Sequence, residues 1–208
     1  MIERRRSTAA HWLLTLAIVL LALLWFGMLT LGMGSLDHTL LAGFYSGGKP
    51  ALVTIARVFT FLGEPVVLIG LAIIVAAWLT YERRGRYALA VVVVTLVGRG
   101  LAEIQKYAIE RIRPEDKVHL VPVSTPSFPS GHATSSMIVY LTLALVLASH
   151  TRWKWPAVAG ALVLSFCIGT SRLMLGVHWP TDVVGGWAFG LLWVLLALPM
   201  AERLAQRR

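Results

Sequence analysis

The chain has 208 residues, 57% of them hydrophobic and 14% charged, where a soluble domain carries about a quarter charged residues. A mean hydropathy of +0.74 and several apolar runs of roughly 20 residues, the length that crosses a bilayer core of about 30 Å, exclude a soluble fold, disorder, collagen and a disulfide scaffold, and predict an integral membrane protein. The formal charge of +9 does not point to nucleic acid, because the cations punctuate apolar segments instead of gathering on one solvated face.

In chain order, apolar segments near Trp12 to Met33, Pro65 to Thr80, Tyr87 to Ile109, Gly131 to Ser149, Pro156 to Thr170 and Pro180 to Met200 predict six transmembrane helices. They lack the two-residue alternation of a barrel strand, and isolated strands cannot satisfy their backbone groups in hydrocarbon. The fold class is therefore all-α, a polytopic membrane helix bundle forming one domain over 1-208. The first span has a basic flank like a signal peptide, but its apolar stretch is too long and no A-x-A site follows, so it is expected to stay as an anchor. Pro50 to Leu62, with Arg57 inside it, reads as an interfacial or packed helix. Cys167 lies within an apolar run and is the only cysteine, so no internal disulfide can form. Gly186 and Gly190 give the last span a small-xxx-small face for close packing.

Four basic clusters flank these spans: Arg4, Arg5 and Arg6; Arg83, Arg84 and Arg86; Arg152 and Lys154; Arg203, Arg207 and Arg208. With six spans all four fall on one side, which the excess of Lys and Arg in inner loops makes cytoplasmic. Both termini are then inside. Lys106, Arg111, Arg113, Lys117 and Arg172 are left on the outer side, where topology does not explain them and an anion would. For Arg111 and Lys117 taken alone, a solvated loop charge explains as much.

Three outer segments carry the polar residues. In the first, Lys106 and Arg113 stand seven residues apart, so they share a stripe if the helix continues to Pro114; two cations at a helix C-terminus also simply complement the dipole. In the second, Pro129-Ser130-Gly131-His132, Ser130 is placed as an N-cap, Gly131 allows close backbone approach, and the helix start offers unpaired N–H groups for a phosphate. In the third, running from Ser171-Arg172 to His178-Trp179-Pro180-Thr181-Asp182, Pro180 suits a first helical turn. The Asp182 carboxylate can then fold back on the His178 imidazole and activate its other nitrogen. On one side of the membrane the three can form a single pocket with two helix N-termini, three cations, two histidines and one carboxylate. That donor set suits a phosphate and has no cluster suited to a metal. Arg99, in the apolar part of the third span, reads as an ion pair with Glu103, or as a backing that holds Lys106. His11, His38, His119 and His150 are given no chemistry, and Trp12, Trp153, Trp155 and Trp179 read as interfacial anchors.

These segments resemble the signature of the type 2 phosphatidic acid phosphatase family of membrane lipid phosphatases, K-x6-RP, then PSGH, then SR-x5-H-x3-D. Lys106, Arg113, Pro114, Pro129 to His132, Ser171, Arg172, His178 and Asp182 fill every defining position, within the signature region 106-182. The resemblance implies that His178 is the nucleophile, forming a phosphohistidine, that Asp182 orients it and that His132 is the general acid. It implies that Lys106, Arg113, Arg172, Ser130 and Gly131 hold the phosphoryl oxygens, with no cofactor and no metal. The expected activity is hydrolysis of a lipid phosphate or diphosphate at the outer face of a bacterial-type inner membrane. Undecaprenyl diphosphate is favoured over phosphatidylglycerophosphate, phosphatidic acid or lipid A phosphate. The partners expected are the lipid substrate and the bilayer, with no nucleic acid and no obligate protein partner. A lipid-to-lipid phosphotransferase using the same phosphohistidine is the alternative. An anion transporter fits less well, since it predicts charge through the bilayer depth and repeated halves.

Overall fold

The computed structural model describes residues 2–206, with side chains from 11 onward except at 202 and 204–206. The expected basic clusters at Arg4 to Arg6 and at Arg207 and Arg208 lie outside the described side chains. Among the described residues the secondary structure is all helical: α1 (Ile2–Thr30), α2 (Ser35–Phe44), α3 (Pro50–Leu62), α4 (Pro65–Tyr81), α5 (Gly85–Ile109), α6 (Gly131–Leu147), α7 (Lys154–Met174) and α8 (Pro180–Gln206). Between α5 and α6, residues 110–130 form an irregular segment that returns over the end of the bundle.

α6 is the axis of the molecule. It packs against α5, α7 and α8, and its residues Ala133 to Val139 are buried without a break. With lipid outside and no water to drive association, such a helix is held by close backbone approach. Gly186 and Gly190 of α8 supply it: a Cβ at Gly190 would stand 2.9 Å from Met137 Cβ and from the Thr134 carbonyl oxygen. α1 instead packs on α8 and leaves Trp12, Leu13, Leu16, Leu23 and Phe26 exposed, the surface expected of a helix that faces acyl chains.

Four helices, α1 from His11, α5, α7 and α8, are long and apolar enough to cross a membrane by themselves, and the chain is a membrane protein. α3 and α4 meet that test only as a pair bent by 42° at Gly63-Glu64. α6 is apolar but has 17 residues. Two elements depart from the sequence reading. α2 lies where an outer loop is expected; its buried Asp37 accepts a hydrogen bond from the Met33 N–H at 2.8 Å. α5 ends at Ile109, with Glu110 in the left-handed region (φ 50), so Lys106 and Arg113 do not share a helical stripe.

Candidate active site

All three polar segments meet at one end of the bundle, around a cavity of about 420 Å3 lined by Lys106, Arg113, Gly131, His132, Arg172 and His178 among others. α5 brings Lys106 in from its last turn, α6 brings Gly131 and His132 from its first, and α7 brings Arg172 from its last. Arg113 and His178 stand on the connecting segments.

Although the helix does not join them, Lys106 and Arg113 converge through the irregular segment. Lys106 Nζ donates to Thr125 Oγ1 at 3.3 Å and to the Pro126 carbonyl at 3.1 Å. Arg113 donates from Nε to the Thr125 carbonyl at 2.8 Å and from Nη2 to Thr125 Oγ1 at 3.3 Å. Its Nη1 reaches the Val177 carbonyl at 2.5 Å and stands 3.1 Å from His178 Nε2. Arg172, buried on α7, donates from Nη1 to Thr60 Oγ1 of α3 at 2.5 Å, while its Nε has no partner. Three cations are thus fixed by neutral acceptors and keep their charge unpaired, which is what an anion pocket requires.

His178 is 2% exposed. Burial, and then the charges of Arg113, Lys106 and Arg172, hold its pKa well below the usual histidine value, so the ring is neutral at physiological pH. Because Arg113 Nη1 donates toward Nε2, that nitrogen carries the lone pair and Nδ1 carries the proton. Nδ1 faces Asp182 Oδ2 at 3.4 Å and Ser127 Oγ at 3.3 Å, and the Ser127 hydroxyl itself donates a short hydrogen bond to Asp182 Oδ2. The carboxylate does fold back on the imidazole, as its spacing predicts, but the contact is long and Ser127 shares it.

Asp182 is fully buried and carries the load of several donors. The Trp179 N–H donates to Oδ2 at 2.9 Å, and Arg111 Nη1 forms an ion pair with Oδ1 at 2.9 Å. Arg111 is therefore no solvated loop charge: it is 6% exposed, donates to the Met28 and Leu29 carbonyls at the end of α1, and lies 4.3 Å over the Phe128 ring. Nor does α8 offer its N-terminus to the cavity. The Thr181 N–H is taken by Asp37 Oδ1 at 2.9 Å, whereas Gly131 and His132 of the α6 first turn line the cavity.

Ser130 occupies the N-cap position of α6 without capping it; its hydroxyl is buried and unpartnered, and its N–H donates to the Asp182 carbonyl at 3.0 Å. Gly131 passes close to Lys106, whose Cε would lie 3.5 Å from an added Cβ. His132 faces a carboxylate that the sequence does not announce, with Nε2 3.3 Å from Glu64 Oε1 at the α3–α4 break. Arg99 pairs with Glu103 at 3.9 Å, and both line the same cavity. Among the described residues no three His, Cys, Asp or Glu side chains gather as metal ligands.

Outside the cavity, His38 pairs with Asp116 at 2.5 Å, and this contact lowers the Asp116 pKa. His119 Nε2 stands 2.7 Å from the Pro114 carbonyl. Trp179 is 4% exposed, donates to the Ile112 carbonyl at 2.9 Å and packs with Leu41, Ala133, Leu173 and Val183, so it is a core residue and not part of an interfacial belt. Trp12, Trp153 and Trp155 are exposed.

Residues 87–205 match the PAP2 superfamily. The chain is 34% identical over 164 residues to a phosphatidylglycerophosphatase B from Bacillus subtilis (strain 168), covering 77% of this chain and 80% of that one. It is 31% identical over 122 residues to an undecaprenyl-diphosphatase from Sulfolobus acidocaldarius, covering 56% of each. The crystal structure of a transmembrane PAP2 type phosphatidylglycerolphosphate phosphatase from Bacillus subtilis superposes with a TM-score of 0.80 at 28% identity, over 91% of this chain and 96% of that one. Fold, signature and relatives agree, and the chain belongs to the PAP2 superfamily of membrane lipid phosphatases.

Proposed function

We propose that the protein removes a terminal phosphate from a lipid phosphate or diphosphate, undecaprenyl diphosphate being the favoured substrate, through a phosphohistidine at His178. One observation carries this reading: a buried, neutral imidazole, its Nε2 lone pair held by Arg113 at 3.1 Å, lines a cavity walled by three cations that have no carboxylate bonded to them. His178 Nε2 attacks phosphorus, and the bond from phosphorus to the leaving alkoxide or phosphate oxygen breaks. That oxygen takes a proton from His132, which then accepts one from water as the water attacks phosphorus, breaks the P–N bond and releases phosphate. Lys106, Arg113, Arg172 and the N–H groups at Gly131 and His132 hold the equatorial oxygens as charge spreads over them. Asp182, with Ser127, fixes the Nδ1–H tautomer. Fixed cations supply what a divalent ion supplies elsewhere, so the reaction runs without metal.

In the membrane, α1, α4, α5, α6, α7 and α8 cross as six spans of one domain with both termini inside and the cavity on the extracytoplasmic side of the inner membrane. Supporting this, the turns bearing Arg83, Arg84, Arg86 and His150 lie together at the opposite end from the cavity. The test is to quench turnover of a terminally radiolabelled lipid and look for acid-labile phosphate on the protein. We expect label on the wild type, none on His178→Ala, and activity that survives chelator. An unlabelled wild type together with an active His178→Ala variant overturns the mechanism.

A further inference from the structure

Arg99 is left without a role by this chemistry, and its setting is costly. It lies on α5 seven residues before Lys106, about 10 Å further along the helix toward the apolar middle of the bundle. A guanidinium at such depth is retained where it meets a partner or a ligand. Among the described residues its ion-pair partner is Glu103, at 3.9 Å, beyond hydrogen-bond reach, with side chains 27% and 38% exposed. Five N–H donors arranged as a fork for a phosphate or carboxylate thus go largely unused by the protein.

The surroundings say what would use them. Arg99 lines the cavity that holds Lys106, Arg113, Arg172 and His178. It also borders a tight gap of about 10 Å3 in the helix packing, between Leu68 and Ile69 of α4, Thr95 of α5 and Ser135, Ile138 and Val139 of α6. It therefore stands where the polar chamber meets the largely apolar packing of α4 against α6. The chamber, about 420 Å3, has the capacity of a small-ligand pocket and exceeds what one phosphoryl group fills.

We propose that Arg99 holds a second, chain-proximal phosphate, so that the site selects lipids carrying two phosphate groups over lipids carrying one. The inference rests on the reading of the cavity as a phosphatase site. The terminal phosphate sits among Lys106, Arg113 and Arg172 against His178, and the phosphate bonded to the lipid chain sits at Arg99, on the side of the chamber nearer the apolar middle of the bundle. Two substrate types share this chemistry: a prenyl diphosphate, with its phosphates joined directly, and phosphatidylglycerophosphate, with glycerol between them.

The experiment measures phosphate release in detergent from undecaprenyl diphosphate, phosphatidylglycerophosphate and phosphatidic acid, by wild type, Arg99→Leu and Arg99→Lys, each checked for a monodisperse folded state. The readout is the ratio of kcat/KM on each two-phosphate lipid to that on phosphatidic acid. For wild type the ratio should exceed tenfold for at least one of the two, and that lipid identifies the spacing the site accepts. Arg99→Leu should cut that ratio at least tenfold, and Arg99→Lys should cut it less. A wild-type ratio near one overturns the proposal whatever the variants do, as does a ratio unchanged in either folded variant. If the wild type releases phosphate from none of the three lipids, the phosphatase reading itself fails, a result distinct from loss of selectivity.

Discussion

His178 is held in place more by its neighbours' neighbours than by its own contacts. Its Nδ1–H lies between Ser127 Oγ and Asp182 Oδ2 at 3.3 and 3.4 Å, and neither is a strong bond alone. What makes the arrangement rigid is that Asp182 is anchored by Arg111, the Trp179 N–H and Ser127, all inside the protein. A buried carboxylate with fewer donors would be costly and would move. Removing the Ser127 hydroxyl takes a donor from Asp182 and an acceptor from His178 without touching the phosphoryl pocket. A lost buried hydrogen bond costs about 1–3 kcal/mol, so Ser127→Ala should lower kcat about tenfold to a hundredfold with little change in KM. Steady-state kinetics on one lipid substrate checks it, and a rise in KM with unchanged kcat would place Ser127 in substrate binding instead. The signature spacing makes Lys106, Arg113, Arg172, His132, His178 and Asp182 legible in the sequence. Arg111, Ser127, Thr125 and Glu64 are not, because each acts through a contact across 12 to 71 positions of chain that no local pattern encodes.

At the scale of elements, the site depends on how closely helices approach at two glycines. On α8, a Cβ at Gly186 would stand 3.0 Å from the Ser130 carbonyl oxygen, so that glycine sets the height of the α6 N-terminus in the cavity. The small-xxx-small pattern announces this contact, since its spacing alone implies a close helix pair. The break between α3 and α4 is less readable. Gly63 there has an ordinary backbone (φ −95), so conformational freedom does not explain it; space does. A Cβ would fall 2.4 Å from Ile168 Cγ2 of α7 and 3.0 Å from His132 Cδ2. Overpacking of this kind costs about 1–3 kcal/mol, and the pieces that must yield are α7 and the His132 ring. We therefore expect Gly63→Ala to lower activity at least tenfold while the protein still folds. Gly70→Ala on α4, where nothing lies within 4 Å, should leave both activity and thermal unfolding in detergent near wild type. Equal losses in the two variants would show that α4 tolerates no added methyl and that the His132 contact is incidental.

The whole molecule separates its positive charges into two kinds. At one end Arg83, Arg84 and Arg86 stand beside His150 and Thr151 in an open, solvated hollow, and Arg152 and Lys154 lie over Trp153 and Trp155 at 5.1 and 5.4 Å. At the other, Lys106 and Arg172 line the cavity and Arg111 is spent on Asp182. α5 alone separates the ends by about 37 Å, more than the roughly 30 Å of a hydrocarbon core. Loop cations set orientation, whereas cations folded into a protein cavity weigh little in that balance. The charges at the cavity end, which look contrary to the rule when counted along the chain, therefore do not count against the proposed topology. The orientation is open to a direct measurement. In a Cys167→Ser background, Glu115→Cys near the cavity and Glu82→Cys in the basic turn each place one thiol at an exposed position. With a membrane-impermeant maleimide on spheroplasts, Glu115→Cys should label at once and Glu82→Cys only after permeabilisation. The opposite pattern would turn the cavity to the cytoplasm and make its substrate a lipid phosphate of the inner leaflet.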